Sequence, residues 1–213
     1  MHGSAATLIR WSSGPLTLVM LGLALQAVLV APVRAEDQPL AQTRKAIFGA
    51  GCFWGVEKFF RKIPGVVETR VGYAGGTVDN PTYQQVCTGR TGHVEVVEVA
   101  YDPSKVGYRT LLATFFEWHD PTTPDQQGPD IGPQYRSVIF TTDAEQETAA
   151  HEAIETLGKS GLYEDPIVTE VLPAPRFWPA EDYHQRYLEK NPLGYCSHRR
   201  RTDKVGGMLG LQS

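Results

Sequence analysis

Between Lys45 and Phe140 the hydrophobic pattern runs strand, helix, strand, strand, helix, strand, and few folds accept that order. "KAIFGA" reads as a short buried strand, and "FWGVEKFFRKI" then places Trp54, Phe59 and Ile63 on one side of a helix that Pro64 and Gly65 stop. "VVETRVGY" is a second strand. "HVEVVEVAYDP" is the clearest strand in the chain, closed by Asp102 and Pro103, and "YRTLLATFFEWH" after it has apolar residues at helical spacing. "YRSVIF" completes the set. This is the split βαβ order, and it predicts an α+β fold, a two-layer plait with a ferredoxin-like core in which helices cover one face of a four-stranded sheet.

Two long loops interrupt the pattern. "GGTVDNPTYQQVCTGRTG" exceeds what a compact domain carries without a functional reason, and "DPTTPDQQGPDIGPQ" is too rich in Pro and Gly for regular structure. Beyond the plait, a helix is expected from Ala144 to Lys159, with Thr142 and Glu145 as a capping box and Gly161 as its stop. The strand "IVTEVL" and the short helix "PAEDYHQRYL" follow, and from Asn191 the Gly-rich, basic sequence predicts a mobile tail.

The N-terminus reads differently. Arg10 precedes a long apolar run, and Val33 and Ala35 occupy the small-residue positions of a cleavage site, so residues 1–35 are expected to be a secretory signal peptide. An uncleaved anchor is the alternative, since the run approaches the ~20 residues that span a bilayer. The organisation expected is therefore signal peptide 1–35, linker 36–44, catalytic domain 45–192 and tail 193–213. The mature product would be periplasmic or secreted, with no stable membrane association. Cleavage leaves 178 of 213 residues, enough for one domain. Loss of Arg10 and Arg34 moves the formal charge from -4 to -6, which disfavours a nucleic-acid partner.

Cys52, Cys87 and Cys196 all lie in the mature part, and an odd count in an exported chain leaves at least one thiol unpaired or exchanging. The five mature histidines lack ligand spacing, which speaks against a bound metal. Cys52, in "GAGCFWGVE", sits between a strand and a helix, where the helix N-terminus favours a thiolate. Strand alternation puts Glu95 on the face of Val97, Val99 and Tyr101, and burial there would raise its pKa and make it a general acid. Tyr83 and Tyr135, at the long loops, can donate hydrogen bonds to a bound oxygen. Asp130 can orient a tyrosine, or simply form a turn. Phe53 and Trp54 offer an apolar cup, or core. His93, His119 and His184 read as structural, Cys87 as a buried spare. Cys196, in the tail beside Arg199, Arg200 and Arg201, suits a resolving role.

With "GAGCFWGVE", "GYAGG", "NPTYQQVCTGRTGHVEVVEVAYDP", "HDPTTPDQQGPDIGPQYRSVIF" and "RFWPAEDYHQRYLEKNP" in this order, the chain from Ala46 to Cys196 resembles the A-type peptide methionine sulfoxide reductases. The resemblance implies a plait-type α+β fold and reduction of the S epimer of methionine sulfoxide, free or in proteins. It implies Cys52 as nucleophile, Phe53 and Trp54 around the substrate methyl group, and Glu95, Tyr83 and Tyr135 on the sulfoxide oxygen with Asp130 nearby. Cys196 matches a resolving cysteine. No bound cofactor is implied, only an external thioredoxin-like dithiol. Pro129 and Pro133 stand where polar residues are more usual, and no second tail cysteine follows Cys196. Two other functions fit a reactive cysteine: a hydrolase with a histidine base, and a non-catalytic exported binding domain with a static Cys52–Cys196 bridge.

Overall fold

The computed structural model describes residues 43–211. The signal-peptide reading and most of the linker lie outside them. Strands β1 (Arg44–Ala50), β2 (Val66–Ala74), β3 (Val94–Tyr101) and β6 (Ser137–Thr141) stand in the order β6-β1-β3-β2, and each neighbouring pair is antiparallel. β7 (Glu170–Pro173) adds a parallel strand beside β6, and β8 (Trp178–Pro179) an antiparallel one beside β2. The fold is α+β with a mainly antiparallel sheet, two strands wider than the four-stranded expectation.

Helices α1 (Phe53–Phe60), α3 (Tyr108–Trp118) and α4 (Ala144–Lys159) supply one layer of the main core. In it Phe48 stacks on Phe60 at 4.8 Å between ring centroids. Alternation in β3 works as the sequence predicts, with Val97, Val99 and Tyr101 facing this core. The opposite face is buried too. Val94 and Val96 meet Ile47, Val138 and Phe140 there, and the chain from Ala174 to Phe177 crosses behind them. β3 is thus covered on both faces, which is why seven of its eight residues are buried.

Several local elements depart from expectation. The first long loop contains a five-residue helix, α2 (Tyr83–Cys87), closed by a capping box between Thr82 and Gln85. The second holds a two-residue hairpin, β4 (Gln126–Gln127) with β5 (Asp130–Ile131), turned at Gly128. α4 has its expected limits, but Asp143 rather than Thr142 caps it, accepting from Gln146 N at 2.9 Å. The expected helix "PAEDYHQRYL" is not one: Trp178 and Pro179 pair with β2, turns follow, and only α5 (Tyr187–Lys190) is helical, behind Arg186 at φ 52°.

Gly72 of β2 is where this edge strand docks, since a Cβ there would overlap Trp178 O and lie 2.5 Å from Phe177 Cζ. Gly72→Ala should therefore cost about 1–3 kcal/mol, the usual penalty of overpacking. A chemical denaturation curve with an unmoved midpoint would contradict this packing.

Candidate active site

β1 ends at Ala50, and Gly51 makes the turn into α1 with φ +89°, where a side chain is strained and a Cβ would lie 2.5 Å from Gln127. Cys52 is the N-cap of α1 and is 7% exposed. Burial drives its thiol pKa well above the ordinary value, the Glu95 charge pushes the same way, and the N–H groups of Trp54 and Gly55 pull it down. The helix terminus acts as the sequence suggests, but burial outweighs it. The resting form is a thiol, not the thiolate expected.

Glu95, 1% exposed at the start of β3, accepts a hydrogen bond from Phe53 N at 3.1 Å. Burial raises its pKa to about 8 against that hydrogen bond, with repulsion from Asp130 adding to the rise. Its charge also acts on Tyr83 and Tyr135, whose phenols burial pushes far above their ordinary range. Both phenols therefore stay protonated donors. The Glu95 charge acts on Cys52, Tyr83 and Tyr135, and Asp130 acts on Cys52 and Glu95, so these five side chains lie in one region.

The apolar wall is partly as expected. Phe53 is 1% exposed and belongs to the core, against Tyr73 at 5.9 Å and His184 at 5.0 Å. Trp54 is half-buried, stacked on Tyr187 at 3.8 Å, with Nε1 donating to His184 Nδ1 at 3.0 Å. Glu181, hidden from sequence reasoning in what reads as a surface helix, accepts from Tyr73 OH and from Tyr83 N, each at 2.9 Å. It fixes the start of α2 and hence Tyr83.

The histidines are structural, as expected. His93 Nδ1 accepts from Gly76 N at 3.1 Å while Nε2 donates to Val78 O at 2.8 Å, bracing the first loop. His119 is bound to Phe115 O and Ser137. Its pKa falls to about 3, chiefly through burial. Among the described residues no histidine is hydrogen-bonded to the Cys52 side chain.

All three thiols are free, so the static bridge of a binding domain is not present. Cys87 is exposed rather than buried: Val86 takes the inward position of α2, and Cys87 lies beside the Tyr83 phenol. Asp130 does orient a tyrosine, but it is Tyr195, whose OH donates to Oδ1 at 2.9 Å while Ser197 Oγ donates to Oδ2 at the same distance. Cys196, between them, is exposed, its Sγ directed to His198 O at 3.8 Å.

The tail is packed, contrary to the expectation of mobility. Arg200 pairs with Glu117 at 2.7 Å and Arg201 with Asp120 at 2.7 Å. Val205 and Leu209, in and after helix α6 (Val205–Met208), are buried in the main core. The composition is Gly-rich and basic, yet these few residues find carboxylate partners on α3 and just after it, and apolar partners in the core.

Residues 44–206 match the family model described as Peptide methionine sulfoxide reductase. The chain is 60% identical over 158 residues to peptide methionine sulfoxide reductase MsrA of Methanoculleus marisnigri, covering 74% of this chain and 96% of that one. It is 56% identical to the MsrA of Geobacter metallireducens over 73% of this chain and 96% of that one. Among solved structures it is similar to Mxr1 of Saccharomyces cerevisiae in reduced form, with a TM-score of 0.72 and 36% identity over 78% of this chain and 96% of that one. Methionine sulfoxide reductase A of Corynebacterium diphtheriae gives a TM-score of 0.67 and 47% identity over 76% and 80%. With a family model spanning most of the chain and relatives this similar over nearly their whole length, the chain belongs to the A-type peptide methionine sulfoxide reductases, the peptide-methionine (S)-S-oxide reductases.

Proposed function

We propose that the reduction proceeds through a Cys52 sulfenic acid and a Cys52–Cys196 disulfide, in a plait-type core carrying its site at the β1–α1 turn. The observation that supports it best is the enclosed Glu95, a carboxyl with a pKa near 8 bound to the first N–H of the helix that Cys52 caps. Oxide is a poor leaving group, so sulfur attack on the sulfoxide needs a proton on that oxygen. Glu95 supplies it, and the Tyr83 and Tyr135 phenols hydrogen-bond to the same oxygen. Phe53 and Trp54 hold the substrate methyl group.

The atoms balance in two steps. Cys52 S–H and the sulfoxide give Cys52 S–OH and methionine. Cys196 then attacks the Cys52 sulfur, the S–O bond breaks and water leaves as the disulfide forms. A thioredoxin-like dithiol reduces that bridge. Yeast Mxr1 is known in complex with Trx2, and the exposed Cys196 is the sulfur we assign to the same kind of donor here. The leader read from the sequence assigns the activity to repair of exported proteins in the periplasm or outside the cell.

The test is Cys196→Ser. It should release about one methionine per enzyme and then stop with thioredoxin as donor, leaving a sulfenic acid that dimedone labels. Undiminished thioredoxin-driven turnover would show that the relay runs through another sulfur. Cys87→Ser should match the parent in both phases.

A further inference from the structure

Gly55 and Gly51, on either side of Cys52, leave a notch that the His198 ring fills at Gly55 and shares with Gln127 at Gly51. A Cβ on Gly55 would overlap His198 Nδ1, and one on Gly51 would lie 3.4 Å from His198 Cε1. Within the notch His198 Nε2 donates to Ala50 O at 2.6 Å, and the ring lies 5.9 Å from that of Phe59. Nδ1 is enclosed without a partner. An unpaired buried nitrogen costs stability, so this seat is not explained by stability alone.

The seat has a position in the redox relay. Ala50 is two residues before Cys52, and His198 two residues after Cys196, and a two-residue stretch spans at most ~7 Å. A single hydrogen bond thus ties the backbone two residues from one sulfur to a side chain two residues from the other. Tyr195 and Ser197 both bond to Asp130, so Cys196 between them is turned the other way, into a cavity of about 120 Å³ lined by Gly55, Lys58, Phe59 and Trp118. Closing a disulfide requires Cα atoms within about 7 Å of each other. With Cys196 Sγ directed to His198 O and not bonded to Cys52, forming the disulfide requires the stretch around Cys196 to reorient while something keeps it near Cys52.

We propose that His198 is a positioning residue for the regeneration step: seated between Gly51 and Gly55, it is the pivot about which Cys196 swings onto the Cys52 sulfenic acid. It does not touch the reacting atoms. Its contribution is to hold the attacking sulfur at a high effective concentration, since the next anchors, Arg200 on Glu117 and Arg201 on Asp120, leave a longer and slacker tether. The bond changes are those of the resolving step above, with S–S formed, S–O broken and water released. The inference rests on the Cys196 relay.

The experiment uses the full chain, mixed with one equivalent of methionine S-sulfoxide, and follows methionine release and thiol loss separately. In His198→Ala, disulfide formation and thioredoxin-driven turnover should slow about tenfold. The methionine burst and dithiothreitol-driven turnover should persist, because a small thiol reaches the sulfenic acid without the relay. His198→Gln, whose amide can still donate to Ala50 O, should recover much of the loss. Parental disulfide formation in His198→Ala would overturn the proposal, as would an equal fall in burst, dithiothreitol and thioredoxin rates. Cys196→Ser run alongside separates the layers: if it too turns over normally with thioredoxin, the relay itself is wrong rather than its pivot.

Discussion

Cys52→Ser is expected to abolish sulfoxide reduction, with a loss on the order of 10⁴-fold or more, as for removal of other essential nucleophiles. Oxygen transfer to serine would create a hydroperoxide, where sulfur gives a sulfenic acid that the next thiol resolves. The fold should survive. Cys52 is in no disulfide, and the Trp54 and Gly55 N–H groups that point at its sulfur can serve a hydroxyl. The measurement is methionine released in a single turnover, with thermal unfolding as the control. Substantial release by a folded Cys52→Ser protein would remove Cys52 from the chemistry.

Glu95→Gln should lose ~100-fold or more in the chemical step, because an amide can hold the oxygen but cannot protonate it. The parent's single-turnover rate should be level below pH 7 and fall as pH rises through about 8, where Glu95 ionises. The variant should not show that fall. The same ionisation makes stability depend on pH in the parent and not in the variant. The folded pKa of Glu95 lies above the unfolded value, so between about 4.5 and 8 the folded state binds more protons and stability declines as pH rises. Glu95→Gln removes that decline, and at pH 9 it should unfold at a higher temperature, relative to the parent, than it does at pH 5. A rate profile shared by both proteins would return Glu95 to a purely structural role.

The placements of Glu95 and Cys52 were readable because their signals are local. Alternation along "HVEVVEVAY" puts Glu95 on the core face, and the change from strand to helix at "GAGCFWG" puts Cys52 at a helix end. What escaped was the balance at each position. A helix terminus lowers a thiol pKa, but how deeply the thiol is enclosed depends on Glu95, Tyr135 and the tail, which come from distant parts of the chain. Glu181 was lost for a related reason: its segment has helical composition, yet pairing of Trp178 with β2 takes that stretch out of the helix and aims a carboxylate at Tyr73 and Tyr83. The Thr82 and Gln85 capping box was a usable local signal for α2, obscured by the turn residues around it. Cys87 followed the apolar Val86 in sequence, but neighbours on a helix point in different directions.

The tail's seat on α3 alters how the relay can be taken apart. Removing the chain from Cys196 onward would delete a thiol, and with it Val205 and Leu209, their cover over the core, and the partners of Glu117 and Asp120. A truncated enzyme would then expose apolar surface and two unpaired acids at once. Loss of turnover in such a protein reports an opened core as readily as a missing sulfur. For the same reason a tag fused directly after Leu209 loads a structural helix, so a cleavable spacer is the sounder arrangement for redox work on this chain.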